Sequence, residues 1–103
     1  MVHKERVNNM DISSFTAEEI KDPTGILTGK RYEFFLDIDV DEDDELYSDQ
    51  GIRLRVLYYK GEEDEKILNY HFQDNATKSI LDFALDEEEE IIIGKFCKAQ
   101  LAE

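Results

Sequence analysis

Two stretches of alternating sequence constrain the fold of this chain more than any other feature. In residues 30–40 every second side chain is apolar, namely Tyr32, Phe34, Leu36, Ile38 and Val40. Residues 52–59 repeat the pattern with Ile52, Leu54, Val56 and Tyr58. Successive side chains of a strand point to opposite faces of a sheet. Both stretches are therefore predicted to be strands that bury one face.

Weaker signals around these two strands predict a larger antiparallel sheet. Residues 11–21 favour an extended chain, and the following Asp-Pro-Thr-Gly sequence at 22–25 predicts a reversal. The polar turn at 61–64 predicts a hairpin into a further strand. In that strand Leu68, Tyr70 and Phe72 alternate with Ile67, Asn69 and His71. Residues 80–85 are predicted to form a short last strand.

A helix is predicted at the end of the chain. Asp86 and Glu89 have the spacing of a capping box, and four consecutive glutamates in the first turn suit the positive end of a helix dipole. Lys95 and Lys98 lie near the other end, where positive charge is favoured. The predicted buried side consists of Ile92, Phe96 and Ala99, with Ile93 and Gln100 beside it.

These elements predict an α+β fold in two layers. A mainly antiparallel sheet of four or five strands would be covered on one face by the C-terminal α-helix. Residues 10–103 fit a single domain, since domains usually have roughly 100–150 residues. Residues 1–9 show no periodicity and are expected to form a flexible leader.

The face without a helix is the candidate binding surface. Arg31, Glu33, Asp37 and Asn69 are expected there, with opposite charges able to pair across strands. Several apolar side chains would share this face and make it more apolar than solvent requires. We expect a partner-binding or homodimer patch formed by Phe35, Arg53, Arg55, Leu57, Tyr59, Ile67 and His71.

The net charge excludes several partners. The chain has 12 Lys and Arg against 26 Asp and Glu, a formal charge of −14. Such a charge repels polyanions, so neither nucleic acid nor an anionic membrane is an expected partner. The sequence contains no apolar run long enough to span a membrane and no secretory h-region. Together with the single cysteine, these features predict a cytoplasmic protein.

No motif in the sequence predicts catalysis, a cofactor or a metal site. Aspartates alternate from residue 37, but an EF-hand starting there would have Glu42 in place of glycine and Ser48 in place of the bidentate glutamate. We therefore interpret residues 41–50 as a solvated acidic loop with at most weak cation binding. His71 and Cys97 belong to no local catalytic signature, and Cys97 is expected to act as a small hydrophobe on a helix flank.

Some segments resemble a known family. The sequence IKDPTGILTGKRYEF at 20–34 and DDELYS at 43–48 resemble short acidic uncharacterised proteins of Bacillus-type Gram-positive bacteria. The resemblance extends from Met10 to the helix, including LDFAL at 81–85 and the pair Phe96 and Cys97. It implies a small cytoplasmic bacterial protein and supplies no catalytic residues. Some members carry a pullulanase label. The barrel of such an enzyme needs roughly 250 residues, more than this chain of 103 contains, so we treat the label as an error.

Three functional hypotheses follow. The first is a noncatalytic, soluble protein-interaction module that uses the open sheet face or the loop at 41–50. The second is an acidic nucleic-acid mimic that binds a basic protein, because 17 of the 26 acidic residues lie in the runs 37–49, 62–65 and 86–90. The third is a small hydrolase, for which no nucleophile, base and orienting group can be named together.

Overall fold

The chain forms one sheet and one helix. A computed structural model describes residues 5–7, 10–25, 28–40, 42 and 47–102, with side chains from Asp11 onward. The elements in chain order are β1 (Glu5–Val7), β2 (Met10–Ile20), β3 (Lys30–Val40), β4 (Ile52–Lys60), β5 (Glu65–Asp74), β6 (Ile80–Leu81) and α1 (Glu87–Leu101).

The sheet is an antiparallel meander in which each strand lies beside the next one in sequence. Four long strands, β2 to β5, form its body, and the short strands β1 and β6 form its two edges. Because the connections are short and local, no crossover is needed, and α1 is left to cover one face of the sheet. The predicted α+β class is confirmed, as are the long strands at 30–40 and 52–59.

Strand β1 differs from the leader that the sequence predicts for residues 1–9. Glu5 pairs with Ile12, and Val7 pairs with Met10, so residues 5–7 extend the sheet beyond β2. A three-residue strand is too short to show periodicity, which is why the sequence gives no sign of it. The rest of the predicted leader lies outside the described residues.

The hydrophobic core lies between the sheet and α1. The alternating apolar residues of β3 and β4 supply its centre, and Phe34, Leu36, Leu54 and Val56 are each 0% exposed. The remaining buried residues are Ile12, Ile38, Ile52, Tyr58, Phe72, Leu85, Ile93 and Cys97. Burying a side chain as large as leucine or phenylalanine stabilises a fold by roughly 1.5–3 kcal/mol, so this layer dominates stability.

Helix α1 begins with the predicted capping box. The Glu89 N–H donates to Asp86 Oδ1 at 2.8 Å, and the Asp86 N–H donates to Glu89 Oε1 at 2.9 Å. The residue before the cap is also fixed, because the Leu85 N–H donates to the Tyr70 hydroxyl of β5 at 2.7 Å. No helix in the described part of the chain is long and apolar enough to cross a membrane.

The buried stripe of α1 is centred differently from the prediction. Ile93 and Cys97 are the fully buried residues, whereas Ala99 and Gln100 are exposed. The helix lies across the middle of the sheet: Phe96 meets Phe15 of β2 edge to face at 5.3 Å, while Gly94 lies near β5. Cys97 therefore faces the centre of the core, whereas the sequence predicts that it lies on a flank of the helix.

A β-bulge in β5 places Ile67 on the face opposite to the predicted one. Leu57 of β4 pairs with Asn69, but the next residue, Tyr58, pairs with Ile67, so Leu68 is an extra residue. Side chains alternate between the two faces of a strand. One extra residue therefore shifts this alternation, so that odd-numbered residues before the bulge lie on the opposite face from odd-numbered residues after it. Ile67 packs against the core beside α1, and its predicted place on the open face is wrong.

Candidate protein-binding face

The sheet face away from α1 is a grid of four strands by four rows, here called the open face. Residues that pair across strands share a face, so the pairing register defines its members. They are Ser14, Thr16, Glu18 and Ile20 of β2, Arg31, Glu33, Phe35 and Asp37 of β3, Arg53, Arg55, Leu57 and Tyr59 of β4, and Lys66, Asn69, His71 and Gln73 of β5.

Ion pairs across the strands order the middle of the open face. Arg55 Nε donates to Glu33 Oε2 at 2.6 Å, and Arg53 Nε donates to Asp37 Oδ1 at 3.3 Å. The other oxygen of Asp37 accepts from the Ser14 hydroxyl at 2.5 Å, so one carboxylate joins β2, β3 and β4. These side chains are a quarter to two-fifths exposed, which leaves each pair worth roughly 0–1 kcal/mol but fixes its geometry.

Aromatic rings hold two of the arginines of the open face. The guanidinium of Arg53 lies 5.6 Å from the ring centre of Phe35, and that of Arg31 lies 5.3 Å from the ring centre of Tyr59. The Tyr59 ring also covers two loop glycines. A Cβ on Gly29 or Gly61 would come within 2.7 or 2.6 Å of it, so only glycine fits there. Tyr59 is thus half-buried by its own chain.

The open face differs in charge from the molecule as a whole. Its sixteen positions carry the cations Arg31, Arg53, Arg55 and Lys66 and the anions Glu18, Glu33 and Asp37. The register also places Asp11 and Asp39, which pair with each other, on this side of the sheet beyond the four rows, so the face carries four cations and five anions, a charge of −1 on a chain of −14. The open face is therefore much less acidic than the rest of the chain and carries cationic and apolar groups together.

The acidic runs lie in separate places. The runs at 37–49 and 62–65 flank opposite ends of β4, whose nine residues span roughly 27 Å, although residues 41 and 43–46 lie outside the described chain. The third run, at 86–90, begins α1 on the covered side of the sheet. A nucleic-acid mimic needs its charges aligned on one surface. Among the described residues the three runs lie in separate places, so no such alignment is seen there.

The structure brings together six of the seven predicted site residues. Phe35, Arg53, Arg55, Leu57, Tyr59 and His71 lie on the open face. Ile67 does not, for the reason given above. The contribution of β2 was not predicted, because residues 11–21 show no clear alternation; Ser14 and Thr16 reach the face only through the register with β3.

The two candidate catalytic residues are far apart in the fold. His71 lies on the open face beside Arg55, whereas Cys97 lies in the core on the other side of the sheet. Burial raises the pKa of the Cys97 thiol to about 12, so it is protonated and unreactive near neutral pH. Among residues 5–7, 10–25, 28–40, 42 and 47–102 no cluster of His, Cys, Asp and Glu could hold a metal ion. Residues 41 and 43–46 of the acidic loop at 41–50 lie outside that set.

Comparison with known proteins gives one match. The model of DUF6509, a family of unknown function, matches residues 10–103. The chain belongs to this family. DUF6509 thus includes every element from β2 to α1, which confirms the resemblance to an uncharacterised family, while β1 precedes the matched region. No curated protein and no solved structure matches the chain.

Proposed function

We propose that this DUF6509 member is a noncatalytic protein-interaction module that binds another protein through the open face. The observation that carries the proposal is a grid of arginines and apolar side chains, nearly neutral on a strongly acidic chain and left uncovered by α1. Arginine and aromatic residues are enriched among the residues that dominate binding at protein interfaces.

The arginines indicate what the partner presents. Arg53 and Arg55 each bond their carboxylate through Nε, and a guanidinium has five N–H donors. The terminal nitrogens are thus left as a planar fork that matches a carboxylate. We propose a partner whose contact surface carries Asp or Glu side chains beside apolar ones, which meet Phe35 and Leu57.

The acidic remainder of the chain does not prevent such a contact. At physiological ionic strength charges are screened over about 8 Å, and the acidic runs flank the ends of the strands. We further propose that the module works in the cytoplasm of a Bacillus-type bacterium. The family resemblance and the single cysteine support that location.

Matched charge reversals test the open face. Proteins captured from a Bacillus cytoplasmic extract are quantified for the wild-type chain, for Arg53→Glu/Arg55→Glu and for the control Lys21→Glu/Lys95→Glu. Both variants lower the net charge by the same amount, and Lys21 and Lys95 are exposed and outside the face. We expect a partner that the control retains and the face variant loses. With that partner purified, its Kd should rise at least about 30-fold for the face variant.

Two results would contradict this function. The first is a partner set that both variants retain equally while their unfolding curves match the wild type. The second is a concentration-dependent dimer in sedimentation that the face variant abolishes. That dimer would make a second copy of the chain the occupant of the face in place of another protein.

A further inference from the structure

A groove of about 550 Å³ lies on the other side of the molecule, between the start of α1 and β5. Its floor and walls are formed by Ile67, Ile91, Gly94 and the stem of Lys66, and Glu87 and Glu90 stand at its rim. Ile91 is 58% exposed, which is a high exposed fraction for an isoleucine on a helix that packs against a sheet. The groove shares only Lys66 with the open face.

The strand that borders the groove has a free edge. β6 pairs only with Phe72 and Gln73, so within the described chain residues 65–70 of β5 have β4 on one side and no strand on the other. Leu68, the extra residue of the bulge, lies on this edge and is 41% exposed. Unpaired backbone groups of an edge strand can accept a further strand.

Gly94 keeps the groove open at a cost to the helix. Glycine inside a helix is roughly 0.5–1 kcal/mol less stable than alanine. Neither packing nor backbone conformation demands it here. A Cβ at this position would lie 3.9 Å from Ile67 Cδ1, an ordinary contact, and Gly94 is not among the glycines with positive φ. A side chain larger than alanine would instead fill the space between Ile67 and Ile91.

The rim selects the charge of an occupant. Glu87 and Glu90 are exposed, and neither makes an ion pair with any residue in the described part of the chain. The residue four positions after Glu87 is Ile91, and the one four positions after Glu90 is Gly94. Neither glutamate therefore has a lysine at the spacing that favours an ion pair along a helix. Lys66 also lines the groove, so the two carboxylates exceed the cations of the lining by one, and this net negative rim complements a cationic side chain next to an apolar one.

We propose that this groove binds an extended segment of a partner protein, one that combines an apolar side chain with a neighbouring lysine or arginine. The segment adds to the free edge of β5 in line with β6. Its apolar side chain lies over Gly94 between Ile67 and Ile91, and its cation meets Glu87 and Glu90. This site goes beyond the open face and does not depend on it.

Peptide display on the full chain tests the groove. Random heptapeptides are selected against the immobilised protein, and their affinities are then measured for the wild type and for four variants. Gly94→Leu fills the groove and should weaken the selected peptides at least about tenfold. Gly94→Ala is its matched control; it should keep affinity within about twofold and raise Tm. Glu87→Gln/Glu90→Gln should weaken binding about threefold or more, whereas Glu62→Gln/Glu63→Gln in the distant turn should not.

The bound state gives an independent readout. Selected peptides should share an apolar residue next to Lys or Arg, and their binding should weaken with salt. They should shift the amide resonances of Leu68 and Ile91 and slow hydrogen exchange along residues 65–70. The bulge and Lys66 are also devices that protect an edge from pairing. If no peptide is enriched, or if Gly94→Leu binds selected peptides as tightly as Gly94→Ala, the edge is merely protected and the proposal is overturned.

Discussion

The two faces of the sheet are built from the same strands but are held together by different physics. On the covered face, Phe34 and Leu54 are 0% exposed and belong to the hydrophobic core. On the open face, Phe35 and Arg55 are partly exposed and belong to ion pairs and ring contacts. The first face is stabilised by removing surface from water, and the second by contacts that water and salt weaken. Stability therefore resides mainly on the covered face.

Phe34 and Phe35 allow the largest test of this contrast, because they are adjacent and chemically identical. Phe34→Ala removes a ring that contacts Phe15 and Tyr58 in the core, and we expect a loss of about 3–5 kcal/mol in the free energy of unfolding. Phe35→Ala removes a ring under Arg53 and should cost less than about 1.5 kcal/mol. Urea denaturation of both variants measures the difference. Equal losses would mean that both faces are buried.

The second-largest expected effect is a loss of stability at alkaline pH, which arises on the covered face. Burial raises the pKa of Cys97 from 9.0 to about 12, and burial with the nearby Glu65 raises that of Tyr58 from 10.0 to about 12. Between these values the folded chain holds protons that the unfolded chain has released. The contribution of these two groups to the free energy of unfolding is therefore fully present below pH 9. It is lost as the pH rises toward 12, and the total loss is on the order of a few kcal/mol.

Variants separate the two groups in denaturation measured from pH 8 to 11. Cys97→Ala should remove the part of the loss that begins near pH 9. Tyr58→Phe should remove the part that begins near pH 10. A pH profile that neither variant changes would show that these groups are not buried as described.

The smallest expected effect belongs to the open face. A double-mutant cycle on Glu33→Gln and Arg55→Met should give a coupling energy of about 0.5–1 kcal/mol at low salt. The cycle on Asp37→Asn and Arg53→Met should give less, because that contact is longer and more exposed. Both couplings should shrink in 1 M NaCl, where screening acts over about 3 Å. Salt-independent coupling above about 2 kcal/mol would contradict a solvated face.

The sequence predicts the elements whose pattern is long and unambiguous. The alternation persists over eleven residues in β3 and eight in β4, so the buried face and the pairing of opposite charges follow from it. The capping box at Asp86 is equally local, and it locates the start of α1. The open face could be anticipated because one helix can cover only one side of a sheet.

Features that depend on tertiary contacts could not be predicted in the same way. The bulge at Leu68 is set by pairing with β4, although the adjacent apolar residues Ile67 and Leu68 are the local sign of a break in period. The burial of Cys97 depends on how α1 lies across the sheet. The groove at Gly94 depends on where β6 stops, which no local pattern encodes.

Cysteine accessibility along β4 tests most directly that one face is covered and the other is open. In a Cys97→Ala background, single substitutions are made at positions 53 to 57 and labelled with a thiol reagent under native conditions. We predict that Arg53→Cys, Arg55→Cys and Leu57→Cys react rapidly, while Leu54→Cys and Val56→Cys react at least about a hundredfold more slowly. Equal rates along the strand, or the opposite alternation, would contradict this structure and the function built on it.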